Sequence, residues 1–220
     1  MIIDFALIFE YLPLLLQGLV VTLQIAGGGC FIGLILGTAL ALIQTSGNTL
    51  LHFLVMSYVV IIRGTPMLIQ IFGAFYILPQ LGLRLDTLSI AIIAIGLNSA
   101  AYISQIIKSG ISSVGVGQVE AAQVLGFSTM DTARYIILPQ ALRIVLPALG
   151  NEFVTLVKDS ALASTIGVAE LSKQGRFVIS KTFDSISVFF VIAILYLIVT
   201  STISFIVAQL EKRMSFHAQD

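Results

Sequence analysis

The chain alternates long apolar runs with short polar breaks. The first run, residues 12–44, exceeds the roughly 20 residues that a spanning helix needs, and no formally charged residue lies between Glu10 and Arg63. QTSGNT at 44–49 is rich in turn formers. A second run, 50–78, is interrupted by Arg63, Gly64 and Pro66, and a third covers 88–110. After a polar stretch at 115–140, a fourth run at 143–168 contains Pro147 and the adjacent Lys158 and Asp159, and a fifth covers 186–211. The pattern predicts an all-α integral membrane protein in one domain, 1–220, with five spanning helices. An odd number of spans puts the two ends on opposite sides. Within the first run Gly29, Gly33 and Gly37 recur every four residues and share one helix face, where a second helix can approach closely.

Composition agrees with a bilayer environment: 58% of the 220 residues are hydrophobic and 10% charged, and the mean hydropathy is +1.06. Eleven basic and eleven acidic residues cancel, so no global field draws nucleic acid to the chain. Cys30 is the one cysteine and reads as small packing filler, and His52 and His217 are too isolated to form a metal site. No basic residue precedes the first apolar run, which argues against a cleaved secretory signal. Orientation rests on Lys212 and Arg213, which follow the last run and predict a cytoplasmic C-terminus and an outer N-terminus.

The polar stretch carries its own local signals. Residues 118–125 suit a short helix, Gly126 suits the left-handed residue that closes it, and Ser128 with Asp131 resembles a capping box opening a second helix that ends at Pro139. Ala121, Ala122 and Gly126 leave a smooth surface, and Glu120 offers a carboxylate, so the island suits docking to a soluble partner. A hairpin lying on the membrane surface is the alternative, although the Lys-rich polar face of such helices is missing.

In the fourth run, Glu152, Thr155 and Asp159 follow i, i+3, i+7 spacing beside Asn151 and Lys158. Each mid-membrane charge costs about 2.5–3.5 kcal/mol, so this face must meet water, counter-charges or a ligand. Asn98 and Tyr102 lie one turn apart in the third run, and Thr65-Pro66 breaks the second, freeing backbone groups. A zwitterionic amino acid would suit these groups: Lys158 for its carboxylate, Asp159 for its ammonium, Glu152 for a cationic side chain. Arg63 reads as a structural or gate residue. The segment 170–184, ELSKQGRFVISKTFD, reads equally well as a contact for an outer partner or as a solvated loop.

EAA at 120–122, Gly126 and ILP at 137–139 resemble the coupling loop of permease subunits of binding-protein-dependent ABC importers. RGTPMLIQ at 63–70, ILPQALRIVLPALGNEF at 137–153 and LVKDSALASTIGVAEL at 156–171 resemble the polar amino acid subfamily of histidine, arginine and glutamine type. The resemblance implies a type I importer permease in a bacterial cytoplasmic membrane. In such a permease Glu120, Ala121, Ala122 and Gly126 form a coupling helix on a separate cytoplasmic ATP-binding subunit. It further implies a second permease subunit, identical or paralogous, and an extracytoplasmic amino acid binding protein. The substrate-binding candidates are Lys158, Asp159, Ser160, Glu152, Asn98, Tyr102, Thr65 and Met67. Gln105 and Lys108-Ser109 stand where the family commonly has Glu and Arg-Gly. The chain has no Gly-x-x-x-x-Gly-Lys-Ser/Thr loop, so it is expected not to be an enzyme and to hold no cofactor, with ATP and Mg belonging to the ATPase. An ion-coupled secondary amino acid transporter is the alternative, disfavoured because five unequal spans contain no repeated half.

Overall fold

The computed structural model describes residues 3–216, so His217 lies outside the described residues. The helices in chain order are α1 (Phe5–Thr45), α2 (Thr49–Gly64), α3 (Met67–Gln80), α4 (Thr87–Ser112), α5 (Val116–Val124), α6 (Thr129–Asp131), α7 (Leu138–Asp159), α8 (Leu171–Thr182) and α9 (Ser185–Phe216). A π-helical segment, Thr132–Ile137, leads into α7, and a 3-10 segment, Ser160–Ile166, follows it.

Among the described residues three helices, Phe5–Thr45, Thr87–Ser112 and Ser185–Met214, are long and apolar enough to cross a membrane. The α2–α3 pair, bent by 106°, makes a fourth if it is one broken span. The α7 segment is too polar to join them on composition, because Arg143, Asn151, Glu152, Lys158 and Asp159 interrupt it.

The glycine face of α1 meets α4. A Cβ on Gly29 would lie 2.7 Å from Ile95 Cγ2, one on Gly33 2.9 Å from Ser99 Oγ, and one on Gly37 2.8 Å from Ile103 Cγ2 and 3.0 Å from the Ala100 carbonyl oxygen. Numbers rise together along both helices, so α1 and α4 run parallel with their backbones close. Gly96 on α4 reciprocates, its missing Cβ falling 2.7 Å from Ile32 Cβ. Gly37→Val is expected to cost about 1–3 kcal/mol, because a carbonyl cannot yield as a side-chain tip can. Gly27→Ala, with nothing within 4 Å, should be neutral or gain up to about 1 kcal/mol from helix propensity. Thermal unfolding in detergent checks both, and equal midpoints for the two variants would remove the glycine face as a packing determinant.

Ile25, Ile71, Ile90, Ile95, Leu156 and Val157 form the main core, where α1, α3, α4 and α7 meet. A second cluster, Leu15, Leu171, Val178 and Val188, lies under α8. That helix corrects the solvated-loop expectation for 170–184. Leu171 and Val178 are buried, a Cβ on Gly175 would strike Ile192 of α9, and wholly buried Glu170 caps the helix by accepting from Ser172 N at 2.8 Å and Lys173 N at 2.7 Å. Asp4 N donates to Ser187 Oγ at 2.9 Å, pinning the start of α1 to the start of α9. At the caps of α4 and α9, hydrogen bonds from Ser89 and Ser187 hold the carboxyls of Asp86 and Asp184 below their ordinary value. Their capping contribution is thus present above the ordinary carboxylate pKa and is lost as pH falls through the lowered one.

A second correction concerns Pro139, which does not end a helix. Leu138 N bonds Ala133 O, an i→i−5 step that shifts the carbonyl register just ahead of the proline, and α7 then continues to Asp159. Pro139 sits in the first turn of α7, where its missing N–H is tolerated.

Candidate functional site

The site begins at a break. Pro66 has no N–H, so the Ile62 carbonyl loses its helical partner. Thr65, as the residue before proline, is extended at φ −116°, ψ 142°. Gln70, one turn into α3, fills the gap: its Nε2 lies 2.8 Å from Ile62 O, 3.2 Å from Thr65 O and 2.8 Å from Thr65 Oγ1. On its other side, Gln70 Oε1 accepts from Asn98 Nδ2 of α4 at 2.9 Å.

Against this break, α4 and α7 close a cavity of about 160 Å³ lined by Thr65, Met67, Asn98, Tyr102, Glu152, Thr155 and Asp159. Residues of α3, α4 and α7 and of the Thr65–Pro66 break therefore converge on one cavity. Ser99 Oγ donates to Glu152 Oε1 at 2.9 Å, and Thr155 Oγ1 donates back to the Asn151 carbonyl at 3.1 Å. Two predicted residues are not in this wall. Lys158 is exposed on another side of α7, and Ser160 is wholly buried with its hydroxyl donating to Val157 O at 2.8 Å. The wall holds two carboxylates and no Lys or Arg. Its volume is below the roughly 300 Å³ of ordinary small-molecule sites, and Thr65 and Thr155 are exposed. The cavity thus opens to the surface beside these two threonines.

Tyr102 also lines a neighbouring cavity of about 320 Å³ with Arg63, Gln105 and Ser109. The Arg63 guanidinium carbon lies 4.9 Å from the centre of the Tyr102 ring. Two of the residues that depart from the resembled pattern, Gln105 and Ser109, thus face this second cavity rather than the carboxylates.

The polar island lies beyond the far end of α7. Phe127 N bonds Ala122 O and Gly126 N bonds Gln123 O, each at 3.0 Å, and Gly126 has φ +82°. This is the paired closure of a Schellman motif, and it requires the left-handed residue that glycine supplies. Ser128 Oγ then accepts from Asp131 N at 3.1 Å, opening the next helix as predicted. Glu120 and Ala121 are exposed, and Ala122 is buried. Val124 is 88% exposed and Leu125 77%, so the end of α5 presents apolar side chains with no cover among the described residues. The missed features are the π-helical entry to α7 and the role of Gln70. The first has no sequence signal, and the second depends on a contact 28 residues away.

Over residues 29–216 the chain matches the family described as binding-protein-dependent transport system inner membrane component. It is 38% identical over 213 residues to the glutamine transport system permease protein GlnP of Escherichia coli (strain K12), covering 96% of this chain and 97% of that protein. It is 33% identical over 213 residues to the arginine transport system permease protein ArtQ of Bacillus subtilis (strain 168), with the same coverage of each. Its fold matches a solved amino acid ABC transporter with histidines at a TM-score of 0.90 and 37% identity, covering 97% of this chain and 100% of that one.

Proposed function

Because the chain belongs to the family of binding-protein-dependent transport system inner membrane components and is a polar amino acid ABC importer permease, we propose that the cavity at the Thr65–Pro66 break is its substrate site and that it favours cationic L-amino acids. The observation that carries this is the wall itself: Glu152 and Asp159, two turns apart on α7, face one small cavity with no basic side chain. The ammonium of an amino acid and a cationic side chain supply the two positive charges that such a wall lacks. Glutamine and arginine, the substrates named for two relatives, both fit a polar amino acid class, and the acidic pair selects the second kind.

Membership in this family implies an ATP-binding subunit and an extracytoplasmic binding protein as partners. The open side of the cavity supports a second permease subunit as its missing wall, and Lys158, exposed on α7, reaches a substrate carboxylate only across that interface. We place the C-terminus and α5 in the cytoplasm, the N-terminus outside, and five spans in between, with α7 as the fourth. The exposed end of α5 is the coupling surface for the ATPase. Energy transfer then needs no long relay: α7 is one helix from Leu138, beside the island, to Asp159 in the cavity. Leu138 to Glu152 is about 21 Å at 1.5 Å per residue. A displacement at the island end is carried along α7 to the carboxylates, past Pro147, which interrupts the helical ladder between them.

Arginine and citrulline, which share shape and differ by one charge, test the substrate class. In the purified permease–ATPase complex, arginine should bind at least about tenfold tighter, a difference near 1.4 kcal/mol. Equal affinities would reject the cationic preference.

A further inference from the structure

Gln70 does not line the cavity, yet it holds both the helix break and one wall residue. Its amide orientation follows from its neighbours: the atom that faces Ile62 O, Thr65 O and Thr65 Oγ1 must be the nitrogen, since a flipped amide would set its oxygen against two carbonyl oxygens. Gln70 Oε1 is thereby turned toward Asn98, and only the amide nitrogen of Asn98 can answer it. One of the two N–H groups of Asn98 is spent on Gln70, and its carbonyl oxygen, with no hydrogen-bond donor among the described residues, is left for a ligand. The hydroxyls of the wall point the same way. Thr65 Oγ1 donates to Ile61 O at 2.9 Å and Thr155 Oγ1 to Asn151 O at 3.1 Å. Beside the carboxylates of Glu152 and Asp159, the wall is acceptor-rich, with the Tyr102 hydroxyl as its free O–H donor.

We propose that Gln70 is a specificity-determining positioning residue: the carbonyls freed at Pro66 fix its amide, its amide fixes Asn98, and Asn98 presents a third acceptor that favours donor-rich cationic ligands over neutral ones of equal shape. This inference rests on the cavity being the substrate site. It ties preference to the break itself, so the residue that repairs the helix also sets the hydrogen-bond polarity one helix away.

Equilibrium binding of labelled arginine and citrulline to the purified permease–ATPase complex separates this role from simple bracing. Gln70→Glu retains an acceptor for Asn98 but cannot donate to Ile62, whereas Gln70→Met does neither. Gln70→Met should lower the arginine-to-citrulline affinity ratio about fivefold or more, and Gln70→Glu, which keeps the acceptor for Asn98 and adds a negative charge beside the acidic wall, should hold the ratio at or above that of the unmodified chain. Asn98→Leu should lower the ratio as Gln70→Met does, with no further fall in the double variant. If Gln70→Met and Gln70→Glu change the ratio alike, or if the Gln70→Met and Asn98→Leu effects multiply, Gln70 only braces the break and the proposal is overturned. Should Gln70→Met yield no complex, Asn98→Leu decides alone, and an unchanged ratio overturns the proposal. Asp159→Asn is the control for the premise. If it leaves both affinities unaltered, the cavity is not the substrate site, and the failure lies there rather than with Gln70.

Discussion

Glu152→Gln weakens arginine binding by about 10- to 100-fold while changing citrulline by less than about threefold, whereas Asp159→Asn, which removes the partner of the ammonium that both ligands carry, weakens the two alike by about 10-fold or more. The two substitutions keep side-chain volume and remove one charge each. A hydrogen bond to a charged group is worth about 1.5–3 kcal/mol, and each 1.4 kcal/mol is tenfold in affinity. Glu152 keeps Ser99 as its donor, so Gln at 152 can preserve that contact through its amide oxygen, and the loss reports charge rather than collapse. The ligand-free complex should lose little stability, because no Lys or Arg lines the wall and the repulsion between the two carboxylates opposes the attraction of Lys158 for Asp159 and of Arg63 for Glu152. Titration calorimetry with thermal unfolding of the same samples measures both quantities. Equal losses for arginine and citrulline in Glu152→Gln, no loss for either in Asp159→Asn, or a variant that unfolds early would assign the carboxylates to structure instead of substrate.

Glu120→Lys combined with Gly126→Leu is expected to cut transport below about a tenth and to release the ATPase during purification, with the permease still inserted in the membrane. The local cost is definite. Gly126 sits at φ +82°, where an L side chain costs about 1–2 kcal/mol, and the penalty falls on the turn that closes α5. A Cβ there meets nothing within 4 Å, so the rest of the fold has no steric reason to suffer. Glu120 is exposed and reverses sign at the face we assign to the ATPase. Retention of ATPase by the double variant, assayed by copurification, would remove α5 as the coupling surface.

Local chemistry made much of this molecule legible. The glycine stripe, the proline break, the glycine closure of α5 and the Ser128 cap each follow from one residue's stereochemistry, and each is found where the sequence puts it. The polar stripe on α7 is readable as period, and six of the eight residues expected at the site, from the Thr65–Pro66 break, α3, α4 and α7, share one wall. Lys158 shows the limit of that reasoning. It is adjacent to Asp159, but neighbours in a helix point about 100° apart, and only the packing of α4 and α3 decides which of the two is enclosed. The α8 helix was hidden by polarity: Leu171, Gly175 and Val178 keep i, i+4, i+7 spacing, yet the charges among them masked so short a stripe. Pro139 looked like a stop because the π-helical register that accommodates it leaves no trace in composition.

The central claim is an ATP-driven importer in which this chain supplies the path. The most direct test places the chain, with its copurifying ATPase and binding protein, in proteoliposomes without any ion gradient and follows labelled arginine. Accumulation should require ATP on the side of α5 and disappear in Asp159→Asn. Accumulation driven by an imposed proton gradient in the absence of ATP would contradict the central claim.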